Sequence, residues 1–217
     1  MECKDYELDV HLKSEIVTWE EYQKKIQMLA QLIDKSIYDY VIGIFQGGYI
    51  VAMSLADYLL KARTGGIISD MGSVVFTENV KGDDCEIRGK NILLVDEVVE
   101  SGRSIQKCKN ILLKYNVGII RTACIYYNVY SNEKIDYYVE RFSLNKNFIF
   151  PWRINRDCIS LLTDVMQKNK EYDEYTLKNE IEKVYGVTLN PQIIINCLEN
   201  KETIFNKKNG AWYILLD

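Results

Sequence analysis

Two short apolar runs, each followed by polar and glycine residues and then by helical spacing, set the pattern of this chain. Tyr40 to Phe45 (YVIGIF) and Ile92 to Val95 (ILLV) are continuously apolar, as strands of a parallel sheet buried on both faces must be. The first run enters Gln46-Gly47-Gly48 and then a helix predicted over Tyr49 to Leu60. The second meets Asp96 and Glu97 where the strand is expected to emerge, then Glu100, then Ser101-Gly102-Arg103-Ser104 and a helix predicted over Ile105 to Lys114. Upstream, Thr18 to Lys35 reads as an amphipathic helix. Thr18 is the N-cap with Glu21 three residues on, and Tyr22, Ile26, Leu29 and Ile33 face the core. Gly66 to Ile68 and Gly72 to Phe76 read as short strands, and the polar stretch Asn79 to Arg88 as a hairpin tip or loop. Val117 to Tyr127 and Ile135 to Val139 supply further strands.

From about Cys158 the pattern changes. Helices are expected over Ile159 to Gln167, Tyr175 to Tyr185 (stopped by Gly186) and Pro191 to Leu198, with Pro191 in the first turn. Two strands follow, Thr203 to Phe205 and Ala211 to Leu216, joined by a segment ending in Asn209-Gly210, a strong hairpin signal. The expected fold class is therefore α/β: a mainly parallel twisted sheet flanked by helices over residues 1–157, plus a small winged-helix-like α+β module over residues 158–217.

Composition narrows the function. The chain has 217 residues, enough for one ordinary domain and a small second one, and its 47% hydrophobic content supports a packed core. A net charge of -4 gives no general affinity for nucleic acid. The six cysteines lie far apart without a C-x-x-C pair, and the single histidine is His11, so a structural zinc site is not expected. Reduced thiols, a charged N-terminal stretch without an apolar signal segment and the lack of a membrane-length apolar run lead us to expect a cytoplasmic protein.

The order strand, acids, hydroxyl-glycine loop, helix suits a phosphorylated ligand. Backbone N-H groups at the helix start, with two serine hydroxyls beside them, cradle a phosphate, and the acids just upstream suit ribose hydroxyls or a divalent cation. The ten residues Val95 to Ser104, VDEVVESGRS, resemble the signature of the type I phosphoribosyltransferases, with Glu100 in place of the usual Asp. The helix TWEEYQKKIQMLAQLI and the segment Asn147-Phe148-Ile149-Phe150-Pro151-Trp152 resemble the xanthine-guanine and hypoxanthine branch of that family.

This resemblance implies a phosphoribosyltransferase that moves ribose 5-phosphate from phosphoribosyl pyrophosphate (PRPP) to a purine-like nucleobase, with Mg2+. Ser101, Gly102, Arg103 and Ser104 then hold the 5-phosphate. Asp96 and Glu97 bind the ribose hydroxyls and the metal. Gln46, Gly47 and Gly48 take the pyrophosphate, with a cis peptide joining Phe45 and Gln46. Glu100 handles the proton of the base, Asn128 reads the base, and Phe148 covers its face. A loop in the region of Lys81, Asp83 and Asp84 closes over the centre. Gln46 stands where the family has Arg or Lys, Asn128 where it has a purine-reading lysine, and Asn147 where it often has a stacking tryptophan. These departures leave open a second class, a catalytically weak PRPP- or nucleotide-binding regulator whose C-terminal module carries the output. Seven lysines against nine acids give residues 158–217 a net charge of -2, and PQIIINCLEN lacks Arg and Lys. A protein partner is therefore preferred to DNA for that module. The family likeness also implies a homo-oligomer.

Overall fold

The computed structural model of the chain describes residues 13–59, 62–68, 73–76, 87–143, 146–167 and 170–215. The described residues fall into two compact units, one drawn from Glu20–Leu144 and the other from Met1–Trp19 with Asn145–Asp217.

The first unit is built on a six-stranded sheet of order β4-β3-β2-β5-β6-β7. Its strands are β2 (Tyr40–Ile44), β3 (Arg63–Ile68), β4 (Ser73–Phe76), β5 (Ile92–Val99), β6 (Ile120–Asn128) and β7 (Tyr137–Phe142). All neighbours are parallel except β3 and β4. Every residue of β2 and the first four of β5 are buried, which explains their unbroken apolar sequence. Alternation along β2 sends Tyr40, Ile42 and Ile44 into one core with Ile105, Cys108, Ile111 and Leu112 of helix α3 (Arg103–Lys114). The opposite face of β2 meets helix α2 (Gly47–Ala56): a Cβ on Gly43 would collide with the Gly48 carbonyl. Helix α1 (Trp19–Leu32) buries Tyr22, Ile26, Leu29 and Ala30 and is tied to α2 where the Tyr22 hydroxyl donates to Ile50 O, 3.2 Å, and meets Ser54 Oγ at 2.7 Å.

Strand order places the ligand edge. From β2 the chain crosses through α2 to β3 on one side; from β5 it crosses through α3 to β6 on the other. The connections leave the adjacent strands β2 and β5 in opposite directions, which opens a crevice at their carboxyl ends.

In the second unit β1 (Lys13–Ile16) pairs in parallel with β8 (Lys146–Ile149), extended by a bond from Val17 N to Ile149 O of 2.9 Å. Helices α4 (Ile154–Val165), α5 (Glu174–Tyr185) and α6 (Pro191–Glu199) follow, then the antiparallel hairpin β9 (Phe205–Lys208) and β10 (Ala211–Ile214). Asp173 caps α5 by accepting from Thr176 N at 2.6 Å, and Asn190 caps α6 by accepting from Gln192 N at 2.9 Å. One core joins Ile149 to Cys158, Leu162, Leu177, Ile181, Leu198 and Trp212, with Ile16 packed against it. The compact units therefore part near residues 19 and 144, not at the expected boundary between 157 and 158. The apolar faces of β1 and β8 and of the C-terminal helices are buried in each other, which a break at 157 would separate.

Several element ends differ from the sequence expectation. Helix α1 stops at Leu32, short of Lys35, because the Asp34 carboxylate accepts from Ser36 N and Oγ in a local turn. Helix α2 starts at Gly47, placing both glycines inside its first turn, while α4 starts at Ile154. Strand β5 runs on to Val99, so Asp96 and Glu97 lie within it and not at its exit. β6 begins at Ile120 and β7 at Tyr137, and the first hairpin strand is Phe205–Lys208, because the turn is only Asn209 and Gly210, both at positive φ. Cys108, Cys124, Cys158 and Cys197 are buried thiols outside any disulfide; Cys3, Cys85, His11, Lys81, Asp83 and Asp84 lie outside the described residues. Among the described residues no helix is long and apolar enough to cross a membrane.

Candidate functional site

Three connections at the carboxyl edge of the sheet carry the expected ligand residues. After β2, the Phe45–Gln46 peptide is cis, Phe45 N donates to Ile67 O at 2.9 Å, and the Phe45 ring stacks on Tyr49 with centroids 4.8 Å apart. Gln46 is exposed, whereas Gly47 and Gly48 are buried against β5. A Cβ on Gly47 would overlap the Glu97 carboxylate, and one on Gly48 would lie 2.5 Å from Val95 O and 3.0 Å from Asp96 Oδ1. Only glycine lets the first turn of α2 settle this deeply onto the acids.

The two acids have different surroundings. Asp96 is half-buried, and its Oδ1 accepts the Glu97 N-H at 3.0 Å. Glu97 is 8% exposed. Burial pushes the Tyr22 hydroxyl up to about 12, the Ser54 hydroxyl opposes that rise, and the Glu97 charge adds to it. Burial, then the Asp96 charge, raises the Cys124 thiol well above its ordinary value. Strand β5 thus carries one carboxylate partly open to ligand and a second set against the base of α2.

Beyond β5, Glu100 is exposed, and Gly102 adopts φ 79°, ψ -1° as the N-cap of α3. The first N-H groups of a helix have no partner within it, so those of Arg103, Ser104 and Ile105 head the candidate anion cradle. Ser104 is exposed at this end. Ser101 Oγ accepts from Arg103 Nε at 3.2 Å and lies 3.5 Å from Arg103 N, which holds the loop in a tight arc.

Asn128 ends β6, and its side-chain oxygen accepts the Tyr130 N-H at 2.9 Å. With that oxygen engaged, the other polar atom of the side chain is the amide nitrogen, a donor. Ser131 N donates to Asn128 O at 3.0 Å, and Asn132 N to Ser101 O at 3.2 Å, joining this turn to the loop ahead of α3. Glu133 and Ser131, which line the back of that loop, and Lys109, the ion partner of Glu133, have no motif that would single them out, because their contacts join α3 and its cap to the turn after β6.

The structure thus assembles Gln46 to Gly48, Asp96 to Ser104 and Asn128 in the first unit. Phe148 belongs to the second, on β8, where it is 3% exposed with the Lys146 ammonium 5.1 Å from its ring centre. Asn147 Nδ2 donates to Ser14 Oγ at 3.4 Å in the same unit. The expected part of Phe148 in covering a base rests on its sequence motif alone.

Two glycine turns and a carboxylate pair at the switch point of a parallel sheet define an α/β protein of the kind that takes phosphorylated ligands at its carboxyl edge. The chain belongs to the phosphoribosyl transferase domain family, whose model matches residues 14–157. It is 23% identical over 132 residues to the hypoxanthine-guanine phosphoribosyltransferase of Aquifex aeolicus, covering 54% of this chain and 71% of that protein. The purine phosphoribosyltransferase from Pyrococcus horikoshii Ot3 superposes with a TM-score of 0.52 at 26% identity, over 65% of this chain and 94% of its own. The Helicobacter pylori xanthine-guanine-hypoxanthine phosphoribosyltransferase shares the fold, with a TM-score of 0.51 at 15% identity, over 68% and 98% of the two chains. Residues 158–217 lie beyond the family match.

Proposed function

We propose that this chain transfers ribose 5-phosphate from PRPP to a purine-like nucleobase and releases pyrophosphate. The observation that carries this reading is the contact of Gly48 with Asp96, which brings the turn after β2 against the acid strand whose far end leads into the Ser101 to Ser104 loop. The resemblance to the Aquifex aeolicus and Pyrococcus horikoshii proteins, both named for purine substrates, supports the substrate class.

In this reading the amides at the start of α3 and the Ser104 hydroxyl hold the 5-phosphate, and Asp96 takes the ribose hydroxyl edge. Glycine N-H groups at the start of α2 take the pyrophosphate. The anomeric C-O bond breaks and its electron pair leaves with pyrophosphate. A ring nitrogen of the base then forms the new C-N bond through an oxocarbenium-like transition state. Glu100, exposed beside the loop, accepts the proton that nitrogen sheds. The free amide of Asn128 donates to an exocyclic oxygen, which favours oxo over amino bases. Positioning and charge supply most of the rate.

The donor set fits magnesium. Adjacent carboxylates on β5 are hard oxygen ligands, and Asp96 stands beside the first turn of α2. Among the described residues no three His, Cys, Asp or Glu side chains converge, so PRPP oxygens and water would complete the shell. When bound, the ion supplies charge neutralisation for the leaving pyrophosphate.

For residues 158–217 we infer docking to a protein. The exposed positions Gln192, Asn196 and Asn200 of α6 and its C-cap carry neutral amides, Gln192 Nε2 donating to Asn196 Oδ1 and Asn200 Nδ2 to the Asn196 backbone carbonyl, with no cation for a phosphate backbone. Salt-sensitive retention of DNA by the full chain contradicts this assignment.

Incubation with PRPP, Mg2+ and a panel of nucleobases, following pyrophosphate and nucleotide, tests the main reading. Base-dependent turnover that Glu100→Gln abolishes is the expected result. PRPP binding without turnover replaces the enzyme by a sensor, and a chain that does not bind PRPP is neither.

A further inference from the structure

The loop at the start of α3 is held from behind by the turn between β6 and β7. A Cβ on Gly102 would lie 2.5 Å from Glu133 Cβ, 2.7 Å from Ser131 Oγ and 3.0 Å from Glu133 N. Asn132 N donates to Ser101 O at 3.2 Å. Ser131 Oγ accepts from Glu133 N at 3.2 Å and donates to Glu133 O at 3.1 Å, and the Tyr127 hydroxyl donates to the same carbonyl at 3.4 Å, so the turn is itself braced. The Glu133 carboxylate forms an ion pair with Lys109 Nζ, and the two side chains are 15% and 34% exposed. Lys109 lies two helical turns after Gly102, so the turn grips both the cap of α3 and its body.

We propose that Glu133 and Lys109 are positioning residues for the 5-phosphate loop. The inference rests on the reading of Ser101 to Ser104 as the phosphate site. The pair fixes the direction of the first α3 amides, and Lys109 also cancels the carboxylate that stands behind an anion cradle. Removing each partner therefore has an unequal effect. Glu133→Gln keeps an acceptor for Lys109 and removes a negative charge near the anion. Lys109→Met leaves that charge uncompensated as well as freeing the helix, and so harms anion binding more.

PRPP binding in the presence of Mg2+ is measured by calorimetry on the full chain, wild type and variants, with thermal unfolding in parallel. Lys109→Met is expected to weaken PRPP binding by about tenfold to a hundredfold, the order of the cost of leaving a partly buried charged group without its partner. Glu133→Gln should weaken it less. The exchanged pair Lys109→Glu with Glu133→Lys should recover most of the affinity, which a general loss of packing would not allow. Wild-type affinity in both single variants, or an exchanged pair no better than Lys109→Met, overturns the proposal while the phosphate site stands. If the wild-type chain does not bind PRPP, the site assignment and this inference fail together.

Discussion

Gly48 lies against Asp96 so closely that a Cβ on the glycine would sit 3.0 Å from the aspartate Oδ1 and 2.5 Å from the carbonyl of Val95. The carbonyl belongs to a strand buried in the middle of the sheet and cannot move aside. Gly48→Ala must therefore lift α2 or bend β5. We expect a stability loss of about 1–3 kcal/mol, the usual cost of overpacking. PRPP affinity should fall with it. Urea unfolding and PRPP titration on the same preparation check both effects.

Gly102→Ala should cost more than Gly186→Ala. Both glycines have positive φ, so each alanine carries a left-handed penalty of about 1–2 kcal/mol. At Gly186 nothing lies within 4 Å of the added Cβ, whereas at Gly102 it meets Glu133 Cβ at 2.5 Å. Denaturant midpoints of the two variants are the comparison, and only Gly102→Ala should also weaken PRPP binding.

The family-sized fragment 1–157 should not form a sound second unit. Ile149 and Ile16 are packed with Cys158, Leu162, Leu177, Ile181 and Leu198, so truncation uncovers that core. A fragment that binds a hydrophobic dye and unfolds at a lower temperature than the full chain is expected. A fragment as stable as the full chain would restore the boundary at 157.

Asp136 gives the protein a specific acid sensitivity. Burial alone would raise its carboxyl; the Thr122 N-H, the Arg121 guanidinium and the Thr122 hydroxyl together hold it below the usual value. The bonds measure 2.8 Å from Thr122 N, 2.9 Å from Thr122 Oγ1 and 2.7 Å from Arg121 Nη1. A depressed carboxylate contributes its stability above the unfolded value, about pH 3.9, and loses it as pH falls through the lower folded value. The wild-type unfolding midpoint should thus drop more steeply than that of Asp136→Asn as pH falls below the unfolded value and through the lower folded one. At neutral pH the variant should be less stable by about 1–3 kcal/mol.

Much of the fold was legible in short windows, because runs such as YVIGIF and ILLV are buried on both faces and need no long-range information. Tyr22, Ile26, Leu29 and Ile33 are buried as their spacing predicts. The full extent of β5 is not legible there, because two adjacent acids after an apolar run mark the end of a strand in sequence alone. The sheet continues through them to pair Val98 with Tyr126 and Val99 with Tyr127. The placing of β1 with the C-terminal helices is not legible in short windows, because pairing of β1 with β8 joins residues more than a hundred positions apart. In the candidate site, the motif residues from Asp96 to Ser104 and from Gln46 to Gly48 were evident. Glu133 and Lys109 were not, since an ion pair across two crossovers leaves no periodic trace.

In the proposed function, main-chain amides at the starts of α2 and α3 receive the two anionic ends of PRPP. Backbone amide NMR of the full chain during titration with PRPP and Mg2+ reads those groups directly. The amide signals of Gly48 and of Gly102 to Ile105 should shift together and saturate at one PRPP concentration, while those of α6 stay in place. Saturable shifts that leave Gly102 to Ile105 unmoved would contradict it.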